Sequence, residues 1–136
     1  LRAKLSERIM ALGVSPASFG VVMATAAYAG GADRLDALIP YLDENRRIFD
    51  DGVNSIPGLA SMPLQSTYLS WVDFSGTGMA REDFTRRVEQ EARIAANHGP
   101  TFGTGGDGFL RFNIATQRAR VEDAVARLQS AFGDLQ

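Results

Sequence analysis

Apolar residues recur along this chain with two different periods. From Phe109 to Ala115 they alternate: Leu110, Phe112 and Ile114 stand between Arg111 and Asn113, the period of a half-buried strand. Thr67 to Asp73 forms a second strand by the same period and its aromatic content, and a short third falls near Leu59 to Met62. Elsewhere the period is helical. Ser15-Pro16 reads as a helix start, serine capping free amides and proline suiting the first turn. Phe19, Val22, Met23, Ala26 and Ala27 make that helix's apolar stripe, and Gly30-Gly31 stops it. Asp33 caps the next helix, which buries Leu35, Leu38, Leu42 and Phe49 and is kinked or split by Pro40. Pro57-Gly58 closes this segment as a turn. Phe84, Val88, Ala92 and Ala95 mark a helix over about residues 81–97. Val121, Val125, Leu128 and Phe132 mark a last helix, capped by Thr116. Helices alternating with strands in this order predict an α+β fold, a small antiparallel sheet covered by helices.

Composition narrows the chemistry. With 136 residues, 45% of them apolar, the chain has material for one soluble domain with a moderate core. Cysteine is absent, which excludes a disulfide framework, a thiolate nucleophile and cysteine-based zinc sites. The single histidine excludes a multi-histidine metal site. A net charge of −2 with interspersed signs argues against nucleic acid or an anionic membrane as partner. No apolar run approaches the roughly 18–20 residues of a membrane span, and no signal-peptide pattern opens the chain, so a cytoplasmic setting is expected. The chain starts on helix-like periodicity at Leu1 without a methionine, and we read it as cut from a longer protein.

Arg111 is the candidate with the clearest chemistry. A strand places it opposite the core face, just after a glycine-rich loop, where its planar fork suits two-point recognition of a carboxylate. The competing reading is a solvated arginine on an outer sheet face. The glycine cluster at 103–108 feeds a strand rather than opening a helix, so it reads as a flexible loop, not a phosphate loop. His98 reads as a loop or helix-cap histidine rather than a catalytic base. Ser15 and Ser18 stand at a helix N-terminus, where they either cap amides or help bind a phosphate. Tyr68 and Trp71 read as packing residues. Lys4, the only lysine, sits in a charged amphipathic stretch and reads as a surface residue.

Three segments in order carry a family likeness: Met-Pro-Leu-Gln-Ser-Thr-Tyr-Leu-Ser-Trp-Val-Asp (62–73), Ala-Asn-His-Gly-Pro-Thr-Phe-Gly (96–103), and the Arg111 strand. Together they resemble the C-terminal part of fold-type I pyridoxal-phosphate enzymes, the aminotransferase class I/II group. The stretch from Ser66 to Asp73 is most similar to the cystathionine β-lyase-like (C–S lyase) branch. The likeness extends through Ser18–Gly20, Ala26–Tyr28 and Tyr41–Arg46, essentially the whole chain. Thr116-Gln117-Arg118 departs from the branch, which usually has Cys-Pro-Arg there.

The resemblance implies that residues 1–32 are the tail of a large cofactor domain and 33–136 a C-terminal small domain with an interdomain helix. It implies a homodimer that binds pyridoxal phosphate and acts on an amino acid, by transamination or by β-elimination of a thiol. Arg111 then holds the substrate α-carboxylate, Ser18 approaches the cofactor phosphate of the neighbouring subunit, and the glycine loop borders the active-site entrance. The family's cofactor lysine lies in a Ser-x-x-Lys-type segment that this chain lacks, so no catalytic residue or metal ligand is assigned here and the chain alone is expected to be inert. Two other readings stay open: a stand-alone carboxylate-binding or regulatory α+β module, and a structural interaction domain with Arg111 on its surface.

Overall fold

The computed structural model describes residues 1–135. Four strands, β1 (Ala60–Ser61), β2 (Leu69–Asp73), β3 (Asn97–His98) and β4 (Phe109–Asn113), pair antiparallel in the order β1-β2-β4-β3. The two long strands are those whose alternation is visible in the sequence, and each is trimmed by local chemistry. Thr67 takes φ of 67°, a left-handed conformation rare for a β-branched residue, so β2 begins at Leu69. After β4 the side chain of Asn113 accepts the Ala115 amide at 2.9 Å, a local turn that ends the strand short of Ala115. The strand β3 was not anticipated. Two residues carry no period, and only pairing with β4 defines them.

Among the described residues there are five α-helices: α1 (Arg2–Ala11), α2 (Ser18–Gly30), α3 (Ala32–Asn54), α4 (Arg81–Arg86) and α5 (Arg118–Ala131). Their starts differ from the sequence reading. Helix α2 begins at Ser18 behind Ala17 rather than at Ser15, and α3 begins at Ala32 with Asp33 inside its first turn. Thr116 does not cap α5. Gln117 holds that position, with no side-chain cap bond. Pro40 does not split α3, which runs unbroken on both sides of it; the lost amide bond is outweighed by the burial of Asn45, Phe49 and Val53 further along.

The helix expected over 81–97 is shorter. After α4 the backbone widens into a π-turn at Arg87–Glu91, and Arg93 then adopts φ of 54°. Ala95 therefore leaves the buried face, whereas Phe84, Val88 and Ala92 keep it. The carbonyls freed at this end are taken by Arg127, whose Nη1 donates to Ala92 at 2.9 Å and Arg93 at 3.2 Å.

The chain divides into a unit of Leu1–Leu38 and one beginning at Ile39. In the first unit no described residue is buried: Phe19, Val22, Met23, Leu35 and Leu38 are all exposed, contrary to the expectation that Leu35 and Leu38 pack inward. Among the described residues no helix is long and apolar enough to cross a membrane.

In the second unit the inner sheet face (Ser70, Val72, Leu110, Phe112) packs on Phe49 and Val53 of α3, Phe84 of α4, and Val121, Val125 and Leu128 of α5. Phe49 meets Phe112 with ring centroids 5.4 Å apart, and Phe74 stacks on Phe84 at 4.8 Å. Gly52 lets α3 and α5 approach, because a Cβ there would sit 2.2 Å from a Val125 methyl. A polar seam also crosses the α3–sheet boundary: Ser61 Oγ donates to Asp50 at 2.6 Å, lies 3.0 Å from the buried Ser70 hydroxyl, and Arg46 donates to Asp50 on its other side.

Candidate functional site

Alternation along β2 and β4 puts Leu69, Trp71, Phe109, Arg111 and Asn113 on the face of the sheet turned away from the core. Trp71 stands directly across from Arg111 on one side and Asn97 across from it on the other. Trp71 stacks on Phe109 with ring centroids 5.4 Å apart and meets Phe102 edge-on at 5.5 Å. The Arg111 Cζ lies 4.3 Å from the Phe102 ring centroid, and its Nη2 donates to Asn97 Oδ1 at 3.0 Å. Its Nε is buried without an acceptor. The outer face thus carries a half-buried guanidinium framed by aromatic rings and a neutral amide.

The backbone that delivers Phe102 is fixed by a close crossing. Gly99 and Gly106 approach so nearly that a Cβ on Gly99 would lie 2.0 Å from the Gly106 carbonyl oxygen. The glycine cluster is therefore tied down at Gly106, which is buried, while Gly103 and Gly105 take positive φ with open space around them. It leads into a strand, as its sequence context indicates.

Of the other half-buried arginines, Arg46, Arg87 and Arg127 each pair with a carboxylate, Arg87 also lying over Phe132, whereas Arg118, like Arg111, faces an aromatic ring and carries a buried Nε without an acceptor. Arg118 sits over Tyr41, whose hydroxyl accepts the Arg118 backbone amide at 2.7 Å. A hollow of about 230 Å³ beside α3 is lined by Leu42, Arg46, Leu64 and Thr67, but the Arg46 charge there is already met by Asp43 and Asp50.

Of the remaining candidates only Trp71 shares this face. His98 ends β3 and holds the N-cap position of the 3-10 turn Gly99–Phe102, with no side-chain cap bond; its Nε2 is 2.7 Å from Glu89 Oε1 in a surface pair. Tyr68 is exposed, and Trp71 is half-buried in the aromatic cluster. Ser18 opens the 13-residue α2 and is exposed; no side-chain cap covers the first-turn amides. Ser15 precedes the helix and does not cap it. Lys4 is exposed on α1. Among the described residues no cluster of His, Asp and Glu is arranged to hold a metal. Asn97 and Phe102 were missed as site residues. Their signal was present in the 96–103 segment, but only the β3–β4 pairing turns it toward Arg111.

No family model matches the chain. It is 30% identical to the cystathionine beta-lyase PatB of Bacillus subtilis over 96% of its own length and 34% of that protein. It superposes on cystalysin from Treponema denticola, a structure containing a pyridoxal 5'-phosphate cofactor, with a TM-score of 0.86 and 28% identity, covering 96% of this chain and 34% of that one. An aspartate aminotransferase of Pyrococcus horikoshii is 28% identical over 65% of the chain and 23% of the relative. The chain belongs to the fold-type I pyridoxal-phosphate enzymes. It spans about a third of the length of PatB and of cystalysin. Aminotransferases and C–S lyases of this family share the α+β layer described above, with its small antiparallel sheet. Pyridoxal phosphate is the cofactor of the family's full-length members. The departure at Thr116-Gln117-Arg118 is conformationally mild, since Gln117 has φ of −62°, the value a proline ring enforces.

Proposed function

We propose that this chain is part of a pyridoxal-phosphate-dependent enzyme acting on an amino acid, an aminotransferase or a C–S β-lyase, in which Arg111 binds the substrate α-carboxylate. The observation that carries the reading is the Arg111 guanidinium, half-buried on the outer sheet face with no carboxylate partner among the described residues. A cation left unneutralised beside aromatic rings attracts an anion strongly, because the local dielectric is low. Its fork also fixes the orientation of a carboxylate, which a lysine cannot do. Orienting the substrate in this way aligns the bonds at Cα for reaction.

The residues present fit part of a cofactor site. Ser18 and the uncapped first amides of α2 suit a phosphate, by hydrogen bonding and by the helix dipole. When bound, pyridoxal phosphate supplies the ring that accepts the electron pair released at the substrate Cα. Lys4 stands on an exposed helix and does not fit the role of the cofactor lysine, which we place outside this chain; the chain alone is then inert. We assign residues 1–32 to the large cofactor domain and 33–136 to the small domain. The uncovered Phe19, Val22 and Met23 support a subunit or domain surface in a homodimeric, cytoplasmic enzyme.

Steady-state kinetics of Arg111→Lys in the full-length enzyme test the reading. A loss of about two to three decades in kcat/KM is expected for an amino acid, and little loss for the matched amine lacking the carboxylate. An equal effect on both substrates would remove Arg111 from the site.

A further inference from the structure

Arg111 is gripped from two directions, and neither grip neutralises it. Asn97, its partner across the β3–β4 ladder, accepts from Nη2 at 3.0 Å through a neutral carbonyl oxygen. Phe102 lies against the guanidinium at 4.3 Å and is itself set edge-on against Trp71. The Nε is buried, so it offers no edge to solvent. What remains free is Nη1 and the second N–H of Nη2, two donors for the two oxygens of a carboxylate.

We propose that Asn97 and Phe102 are positioning residues that fix the Arg111 guanidinium before the substrate arrives. This rests on the carboxylate-binding role proposed for Arg111. A free arginine side chain loses rotamer entropy when a ligand immobilises it. A fork already immobilised by the fold avoids that loss on binding. The residue types matter as much as the contacts. An aspartate at position 97 would hold the fork equally well, yet it would cancel the charge that the substrate must meet. A phenyl face restrains the guanidinium plane while leaving its N–H groups unspent. The Gly99–Gly106 crossing then explains how a half-exposed Phe102 keeps its place, since it locks the turn that carries the ring.

The test uses the full-length enzyme, with KM and kcat for an amino acid and the inhibition constant of propionate, a carboxylate that cannot react. Asn97→Ala and Phe102→Leu should each raise KM and the propionate constant about five- to tenfold, with kcat changed less than about twofold. Phe102→Tyr should restore native values. Asn97→Asp should weaken propionate more than Asn97→Ala, because it keeps the hydrogen bond and adds opposing charge. In an Arg111→Lys background both losses should shrink below about twofold. Native-like propionate binding in Asn97→Ala and Phe102→Leu overturns the proposal, as does a loss that persists undiminished beside Lys at 111. If Arg111→Lys itself leaves propionate binding unchanged, the carboxylate role fails and the positioning role falls with it. Thermal midpoints within a few degrees of native show that each variant is folded, and Phe102→Tyr against Phe102→Leu keeps the comparison intact if Asn97→Ala is unstable.

Discussion

Removing the Asn45 carboxamide should loosen the strand that carries Arg111, although the two residues do not touch. Asn45 is fully buried, and its Nδ2 donates to the carbonyls of Ile114 at 3.0 Å and Thr116 at 2.9 Å, just past the end of β4. Its Oδ1 is buried with no donor. In Asn45→Ala two carbonyls lose their donor, at about 1–1.5 kcal/mol each, while deleting the unsatisfied Oδ1 returns about 1 kcal/mol. With the small cavity added, the net cost is about 2–3 kcal/mol. In Asn45→Asp a carboxylate would face two carbonyl oxygens, so the cost at neutral pH should exceed that of alanine by several kcal/mol. Burial would raise the folded pKa of that carboxyl above its unfolded value, so the excess should shrink as the pH is lowered through it. The assay is amide hydrogen exchange of β4 together with urea unfolding, and about 2–3 kcal/mol corresponds to roughly 30- to 150-fold faster exchange in Asn45→Ala. Exchange within twofold of native, or an aspartate as benign as alanine at neutral pH, would refute the idea that α3 fixes the end of β4.

Other expectations are as specific. Arg127→Met keeps the apolar stem but leaves the Ala92 and Arg93 carbonyls without their donor, and should cost about 1–3 kcal/mol in urea unfolding; unchanged stability would show that water serves those carbonyls as well. Gln117→Pro should be tolerated and stabilise by about 0.4–1 kcal/mol, since φ is already −62°; a drop in the thermal midpoint would count against it. Asp134 is held below its ordinary value of 3.8 by the hydrogen bond from Arg87. Its contribution is therefore full above that value and is lost as the pH falls through the lower folded one, so protection of the Leu135 amide should fade in acid. Asp134→Asn should show no such acid titration, and an unaltered profile would discard the pairing as its cause.

The sequence by itself determined the layer and the arginine. Strand alternation needs only neighbouring residues, so Leu110, Phe112 and Ile114 declared both β4 and the face on which Arg111 stands. Helical stripes likewise marked Phe84, Val88 and Ala92, and Val121, Val125 and Leu128. What the local pattern could not decide is what lies across a ladder or a helix crossing. Asn97 reaches Arg111 only through a two-residue strand with no period of its own, and Phe102 only through the Gly99–Gly106 crossing. Leu35 and Leu38 have the spacing of a buried stripe and are exposed, because burial depends on what a stripe meets and period alone carries no such information. Helix ends moved for the same cause: Arg127 supplies carbonyl donors from a different helix, and so permits the stop after the π-turn. Periodicity is a property of a few turns of backbone, whereas a site is made by side chains far apart in sequence, brought together by strand register and close packing.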